Sequence, residues 1–270
     1  MTKRFLLYII LTAGALMFLY PFVWMLGASL KPEIEIAGFT PFSSHLTLDS
    51  YRFVIRKIPI FRGFANSLFV SILVTASVII FSSMVGYALA RLHFRGRELV
   101  FNLALATMMI PGQLTVIPLY TMMVRFGWID SYLALIVPAM TSSYAILIFR
   151  QFLLSIPQSL IEAARLDGCS DWGILFRIIY PLSKPAIMTV AILSFMGVWN
   201  EVLWPLMVIR NPDLMTMPLM VTLFTVGGQA EAQLGVQLAA AVMLALPVII
   251  AYVLFQRYLI QSIASSGIKA

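Results

Sequence analysis

Polar and apolar positions separate along this chain into long blocks rather than alternating. Lys3 and Arg4 precede an almost unbroken apolar run from Phe5 to Leu30. Comparable runs follow over Ala65–Ala90, Leu99–Val124, Tyr132–Phe149, Ala186–Ile209 and Leu238–Leu254, the last extending toward Ile260. The hydrocarbon core of a bilayer is about 30 Å thick and takes about 20 mostly apolar helical residues to cross. The six runs therefore predict six membrane-spanning helices. A seventh block, Leu214–Val226, is about 13 residues long and contains Pro218; at that length an interfacial or re-entrant segment is expected instead. The first run begins as a secretory signal does, with small residues Gly27, Ala28 and Ser29 near its end. It is about 26 residues long, against about 7–15 for a signal core, so it reads as a retained first helix.

Pro21, Pro111, Pro118, Pro138, Pro205 and Pro247 fall inside five of the six runs. A proline in a spanning helix frees a carbonyl that neighbouring helices, Ser/Thr side chains or water must satisfy. The prolines imply either ordinary kinks or a bundle of bent helices around a cavity. No 20–50-residue period, low-complexity tract or Gly/Ser linker interrupts the pattern, so the chain reads as one all-α membrane domain.

Composition agrees. Of 270 residues, 61% are hydrophobic and 11% charged, with mean hydropathy +0.96; a soluble domain carries about 45–50% and about 25%. A water-soluble enzyme and a disordered chain are both excluded. Net charge +7 and pI ≈ 9.7 raise nucleic acid as a partner, but the Lys and Arg residues sit mostly at the ends of apolar runs. That placement orients a membrane protein, whereas a phosphate-binding face would cluster it. With the N-terminus inside, 11 of the 18 Lys and Arg lie on the cytoplasmic side and 7 outside, which places both termini in the cytoplasm. Five of those outside lie in loop 31–63.

Several chemistries are missing. No G-x-x-x-x-G-K-[ST] phosphate loop, H-E-x-x-H or G-x-S-x-G occurs, and Cys169, His45 and His93 cannot build a zinc site at the usual spacings. The chain is expected to carry no catalytic residue, metal or cofactor of its own. Intramembrane acids usually mark ion coupling, and Glu201 is the one acid inside a spanning run. A stand-alone secondary transporter, the alternative reading, would need more such acids and usually an internal repeat. A membrane enzyme would need a nucleophile or metal pair. If cargo moves uphill, the energy enters through another polypeptide.

The segment between the fourth and fifth runs, Arg150 to Lys184, reads as two short helices around a turn. Ser155 with Gln158 fits a capping box, and Gly168 suits the left-handed position that ends a helix. Ser170 can cap the second helix, with Asp171 in its first turn. Trp172, Leu175, Phe176 and Ile179 follow at helical spacing as one apolar face, and Pro181 ends it. Such a projection either inserts into a groove on another protein or is a solvated connection.

Glu162-Ala163-Ala164, then three residues to Gly168, then nine to Ile178-Ile179-Tyr180-Pro181, resembles the EAA loop of ABC importer permeases, whose pattern is E-A-A-x3-G-x9-I-x-L-P. Tyr180 stands where leucine is usual. Asn66-Ser67-Leu68, Ile110-Pro111-Gly112-Gln113, Trp199-Asn200-Glu201-Val202-Leu203-Trp204-Pro205-Leu206, Leu182-Ser183-Lys184-Pro185 and the closing Gly267-Ile268-Lys269-Ala270 are similar to the carbohydrate-uptake branch, specifically the smaller permease of maltose-type importers. The resemblance covers essentially the whole chain and is most convincing over 64–257.

What the resemblance implies is a type I permease bundle of six helices in a bacterial or archaeal cytoplasmic membrane. Residues 1–63 would supply the first helix and external loop, 64–257 the transmembrane core and 258–270 a cytoplasmic tail. A second related permease, two ATP-binding subunits carrying ATP and Mg, and an external solute-binding protein would complete an importer that moves a sugar by alternating access. Glu162, Ala163, Ala164 and Gly168 would dock on an ATP-binding subunit, and loop Asn211–Gln237 would face the solute-binding protein.

Asn200 and Glu201 are the polar candidates for the solute path. Trp199 and Trp204 either stack on sugar or pack and anchor the helix. On a continuous helix from Ala186, Glu201 would lie about 22 Å along, at a rise of about 1.5 Å per residue. There it would either accept hydroxyl hydrogen bonds or brace a partner helix through Asn200 or Gln113.

Overall fold

The computed structural model describes residues 2–36, 43, 45–228, 230 and 233–267, and no β-strand occurs among them. The tail residues Ile268–Ala270, part of the motif read above, lie outside the described residues. The main helices are α1 (Thr2–Ser29), α2 (Asp49–Lys57), α3 (Ile60–Arg91), α4 (Arg97–Met108), α5 (Gly112–Phe126), α6 (Ser143–Ser155), α7 (Gln158–Leu166), α8 (Lys184–Trp199), α9 (Leu203–Val208), α10 (Met217–Val226) and α11 (Leu234–Gly267). Four stretches are long and apolar enough to cross a membrane: Arg4–Ser29, Ile60–Arg91, Tyr132–Ser155 and Leu234–Val253. Two bent pairs, Arg97–Met108 with Gly112–Phe126 and Asp171–Leu182 with Lys184–Trp199, are long and apolar enough only when each pair is taken as one span, which gives up to six.

Counted in that way the structure reaches the six of the sequence pattern, but the shapes differ. The third run is bent by 101° around Met109–Pro111, where Pro111 is the N-cap of α5. Pro138 opens a 3₁₀ turn, Val137–Ala139, ahead of α6. Pro21, Pro118 and Pro247 stay within α1, α5 and α11. The fifth run, expected as one helix to Ile209, ends at Trp199 and resumes as the short α9. The break at Met109–Pro111 is as apolar as its flanks, so hydropathy alone does not register it, whereas the fifth run breaks at the polar pair Asn200 and Glu201.

The chain divides into two compact units. The first comprises Met1–Gly63 and Met217–Pro247. Its α1 is apolar all round and exposed to its surroundings, as suits contact with lipid. Ser29 and Tyr51 share a 2.7 Å hydrogen bond that ties the end of α1 to α2. Gly63 lets the chain pass close to α10, since a Cβ there would lie 3.2 Å from the Met217 Cα. The Glu33 carboxylate accepts from the N–H groups of Leu234 at 2.6 Å and Gly235 at 2.9 Å, so a negative charge sits where the first turn of α11 leaves its donors open. The short apolar block read as interfacial or re-entrant is the 10-residue α10, with Leu219, Met220, Val221 and Phe224 buried.

The second unit comprises Phe64–Thr216 and Val248–Ala270. Small polar side chains cross-link its helices. Tyr144 and Ser194 are 2.8 Å apart, Ser83 and Tyr180 2.6 Å, and Thr107 and Ser143 2.7 Å. At the break before α6 the Ser142 N–H donates to the buried Ser82 hydroxyl at 3.3 Å. This is the kind of substitute partner that broken backbone at membrane depth requires. Gly86 brings α3 against α6 so closely that a Cβ would lie 2.7 Å from the Phe149 Cβ and 3.2 Å from the Arg150 nitrogen.

Candidate functional site

The segment with the EAA spacing is a projecting helical turn. After α6 ends at Ser155, Ile156 is extended and Pro157 starts α7. Gly168 has φ +81°, the left-handed value expected. The N–H groups of Gly168 and Cys169 turn back to the carbonyls of Arg165 and Ala164 at 3.0 Å each, closing the helix end. Ser170 caps the next helix by accepting from the Gly173 N–H at 3.3 Å, with Asp171 in the first turn.

Three local expectations are corrected. Ser155 forms no capping box: it is the last residue of α6 and donates to the Phe152 carbonyl at 2.7 Å. Gln158 instead accepts from Arg91. The second apolar face is split because a π-helix, Ile174–Ile179, changes the residue spacing. Leu175 and Ile179 are buried, as is Ile174, whereas Trp172 and Phe176 are exposed and stack on each other with centroids 6.1 Å apart. Pro181 does not end the helix, which runs one residue further to Leu182 before the bend into α8.

On α7, Ile161 and Ala164 are buried and Glu162 and Ala163 exposed. The Glu162 carboxylate takes no hydrogen bond or ion pair from the described residues, so it is available to an external cation. Arg165 and Asp171 pair at 3.1 Å across the Gly168 turn, and the same Asp171 oxygen accepts from the Tyr87 hydroxyl at 3.0 Å. Gly168 faces open space.

Sequence reading counted Arg91 and Arg150 only as orienting charges, yet both are structural. The Arg91 guanidinium, 8% exposed, donates to the Gln158 Oε1 at 2.7 Å and to the carbonyls of Leu153 and Ile156. Arg150 pairs with Glu98 at 3.1 Å and covers the Phe101 ring at 3.8 Å. Only the position of Arg91 at the boundary of an apolar run hinted at such a role, and that hint also fits an orienting charge.

The path candidates separate. Trp199 is 1% exposed, sandwiched between Phe64 and Phe195 with centroids 5.7 Å from each; it packs the unit and offers no face to a solute. Trp204 is half-buried, and its Nε1 donates to the Ala134 carbonyl at 2.8 Å. Asn200 and Glu201 are exposed at the helix break. Glu201 is therefore not on a continuous helix: its Oε1 accepts from the Trp204 N–H at 3.1 Å, covering a free donor at the start of α9. Asn200 donates to the Met196 carbonyl at 2.8 Å, and neither Asn200 nor Gln113 braces Glu201.

The loop after α9 is pinned twice. Asn66, 6% exposed, donates to the carbonyls of Asp213 and Met215 at 2.9 Å each and accepts from the Tyr132 hydroxyl at 2.8 Å. Asp130, at φ +57°, accepts from the N–H groups of Arg210 and Asn211, and these donors hold its carboxyl below the ordinary carboxylate value. Among the described residues no group of three His, Cys, Asp or Glu side chains is placed to hold a metal.

Known proteins extend this geometry. Residues 79–265 match the family described as binding-protein-dependent transport system inner membrane component. The chain is 37% identical over 258 residues to the arabinooligosaccharides transport system permease protein AraQ of Halalkalibacterium halodurans, covering 93% of this chain and 91% of that one. It is 36% identical over 261 residues to the protein of the same name in Bacillus subtilis, covering 94% and 92%. A solved bacterial ABC transporter involved in the import of the acidic polysaccharide alginate contains a chain that superposes with a TM-score of 0.82 at 25% identity, over 95% of this chain and 96% of that one. The chain is thus a transport subunit and not an enzyme, and it belongs to the binding-protein-dependent inner membrane components, the permeases of ABC importers.

Proposed function

We propose that this permease carries a sugar, specifically an oligosaccharide, inward across the cytoplasmic membrane of a bacterium or archaeon, with both termini in the cytoplasm. The observation that carries the reading is the extended identity to permeases named for arabinooligosaccharide transport. Import of an acidic polysaccharide by the transporter of similar fold supports the same substrate class. A second related permease, two ATP-binding subunits holding ATP and Mg, and an external solute-binding protein complete the machine.

Glu162, Ala163, Ala164 and Gly168 form the contact with an ATP-binding subunit, with Glu162 facing a basic group there. Exposure of Glu162 without an internal partner supports this contact, because a carboxylate aimed at another chain is left free by its own. ATP shifts the permease only in so far as the assembly binds it more tightly in one conformation than in the other. Closure of the ATP-binding subunits then moves α7 and the helices beyond it. The break at Asn200–Val202 interrupts the α8–α9 span and presents Asn200 and Glu201 as acceptors for sugar hydroxyls. Trp204 lies beside them, held by Ala134. Loop 211–237 meets the solute-binding protein, and its start is already fixed by Asn66 and Asp130.

Uptake of labelled oligosaccharide by cells with and without the gene tests the substrate class. Excess unlabelled oligosaccharide should compete, and polyols or glycerol phosphate should not. Competition by the latter alone would contradict the sugar reading.

A further inference from the structure

The projecting segment contains two non-helical points at which motion could be lost. One is Ile156–Pro157, where ψ is 134° and 132°. The other is the turn at Asp167–Ser170, with Gly168 at φ +81°. Helices transmit displacement as rods, while such joints absorb it by small dihedral changes. Each joint is bridged by a side chain from the last turns of α3. Arg91 holds the Leu153 and Ile156 carbonyls on one side of the first joint and Gln158 on the other. Tyr87 binds the Asp171 oxygen that also receives Arg165, so residues before and after the second joint converge on it. Tyr87 and Arg91 are four residues apart and share a helix face, and both are buried, at 4% and 8% exposure.

We propose that this i, i+4 pair is a two-point grip that makes the projecting segment and α3 move as one body. Tyr87 and Arg91 are then positioning residues for energy coupling, an inference that rests on the proposed contact with an ATP-binding subunit. Arg91 supplies a forked donor to two carbonyls at the end of α6, of which Leu153 also receives the Ile156 N–H at 3.2 Å. Tyr87 supplies one hydrogen bond to a charged acceptor, stronger than a neutral pair. A push on α7 therefore reaches the membrane span through α3 directly, as well as through the bend into α8.

Tyr87→Phe deletes the hydroxyl and retains the ring. In the assembled transporter purified from its own membranes and placed in liposomes, it should leave subunit composition and ATP hydrolysis within about twofold of the original. Solute uptake should fall about tenfold, the equilibrium factor for losing one hydrogen bond to a charged group, so more ATP is spent per solute. Unchanged uptake, or uptake and hydrolysis falling in parallel, would overturn the grip. Hydrogen exchange on the isolated chain gives a second reading that needs no transport. Tyr87→Phe should raise exchange of the 165–171 amides about tenfold, Asp171→Ala, which removes the acceptor for both Tyr87 and Arg165, at least as much, and the double variant no more than Asp171→Ala alone. Unaltered exchange or additive effects would equally overturn it. If the purified transporter lacks an ATP-hydrolysing subunit, the proposed function fails while the exchange measurement still decides the grip.

Discussion

Gly168 and Glu162 fail differently when replaced, because one shapes the backbone and the other only projects from it. A Cβ at Gly168 would meet nothing within 4 Å, so Gly168→Val costs through its left-handed backbone, about 1–2 kcal/mol, and distorts the turn. Glu162→Ala removes an exposed carboxylate with no partner in its own chain and should leave thermal unfolding within about 0.5 kcal/mol. Both should cut uptake at least about tenfold while the chain still inserts, Glu162→Ala by loss of a charge-assisted contact. Membrane fractionation with an uptake assay checks the pair; normal uptake by both would remove the segment from coupling. Asp130 gives a prediction in pH. Its carboxyl is held low by two backbone donors, so the stabilisation is complete above the ordinary carboxylate value of about 3.9 and is lost as pH falls through the lowered folded value. Protection of the Arg210 and Asn211 amides, corrected for intrinsic exchange, should therefore be flat from about pH 5 to 8. Asp130→Ala should abolish it, since alanine lacks the acceptor and disfavours φ +57°.

Helix packing is where glycine matters for a second reason. Gly86→Val would force α3 away from Phe149 and the Arg150 backbone, costing about 1–3 kcal/mol by overpacking and displacing the grip on the α6–α7 junction. Thermal unfolding in detergent measures the cost, and no loss would mean the α3–α6 contact is loose. At this scale the sequence was a good guide to which stretches are helical and apolar, because a spanning helix declares itself by length. It was a poor guide to breaks. Met109 and Ile110 are as apolar as their neighbours, and only local proline and hydrogen-bond geometry interrupts the backbone there; Asn200 and Glu201 do stand at the second break, but two polar residues in an otherwise apolar run fit a continuous helix equally well. The Ser170 cap and the Gly168 turn were legible because each depends on one residue and its immediate backbone. The Ser155 capping box failed because α6 runs through Ser155 and Pro157 starts α7. The Arg91, Tyr87 and Asp171 contacts were illegible because they join residues 60 or more positions apart.

At the scale of the whole molecule, the exposed apolar surface of α1 and α5 is what a chain surrounded by lipid and other membrane subunits presents. Cys169 reports the orientation of the entire chain. It is a free thiol, partly exposed, beside the Gly168 turn. A membrane-impermeant thiol reagent should label it in inside-out vesicles and not in intact cells, and the ATP-binding subunit should protect it. Labelling from outside would invert the proposed topology and end the docking account. The most direct test of that account is solute uptake by the transporter in liposomes with ATP, the solute-binding protein and the ATP-binding subunits each omitted in turn. Uptake should require all three and stop when any one is missing. Solute accumulation by this chain alone, driven by an ion gradient without ATP, would contradict the assignment of energy to partner subunits.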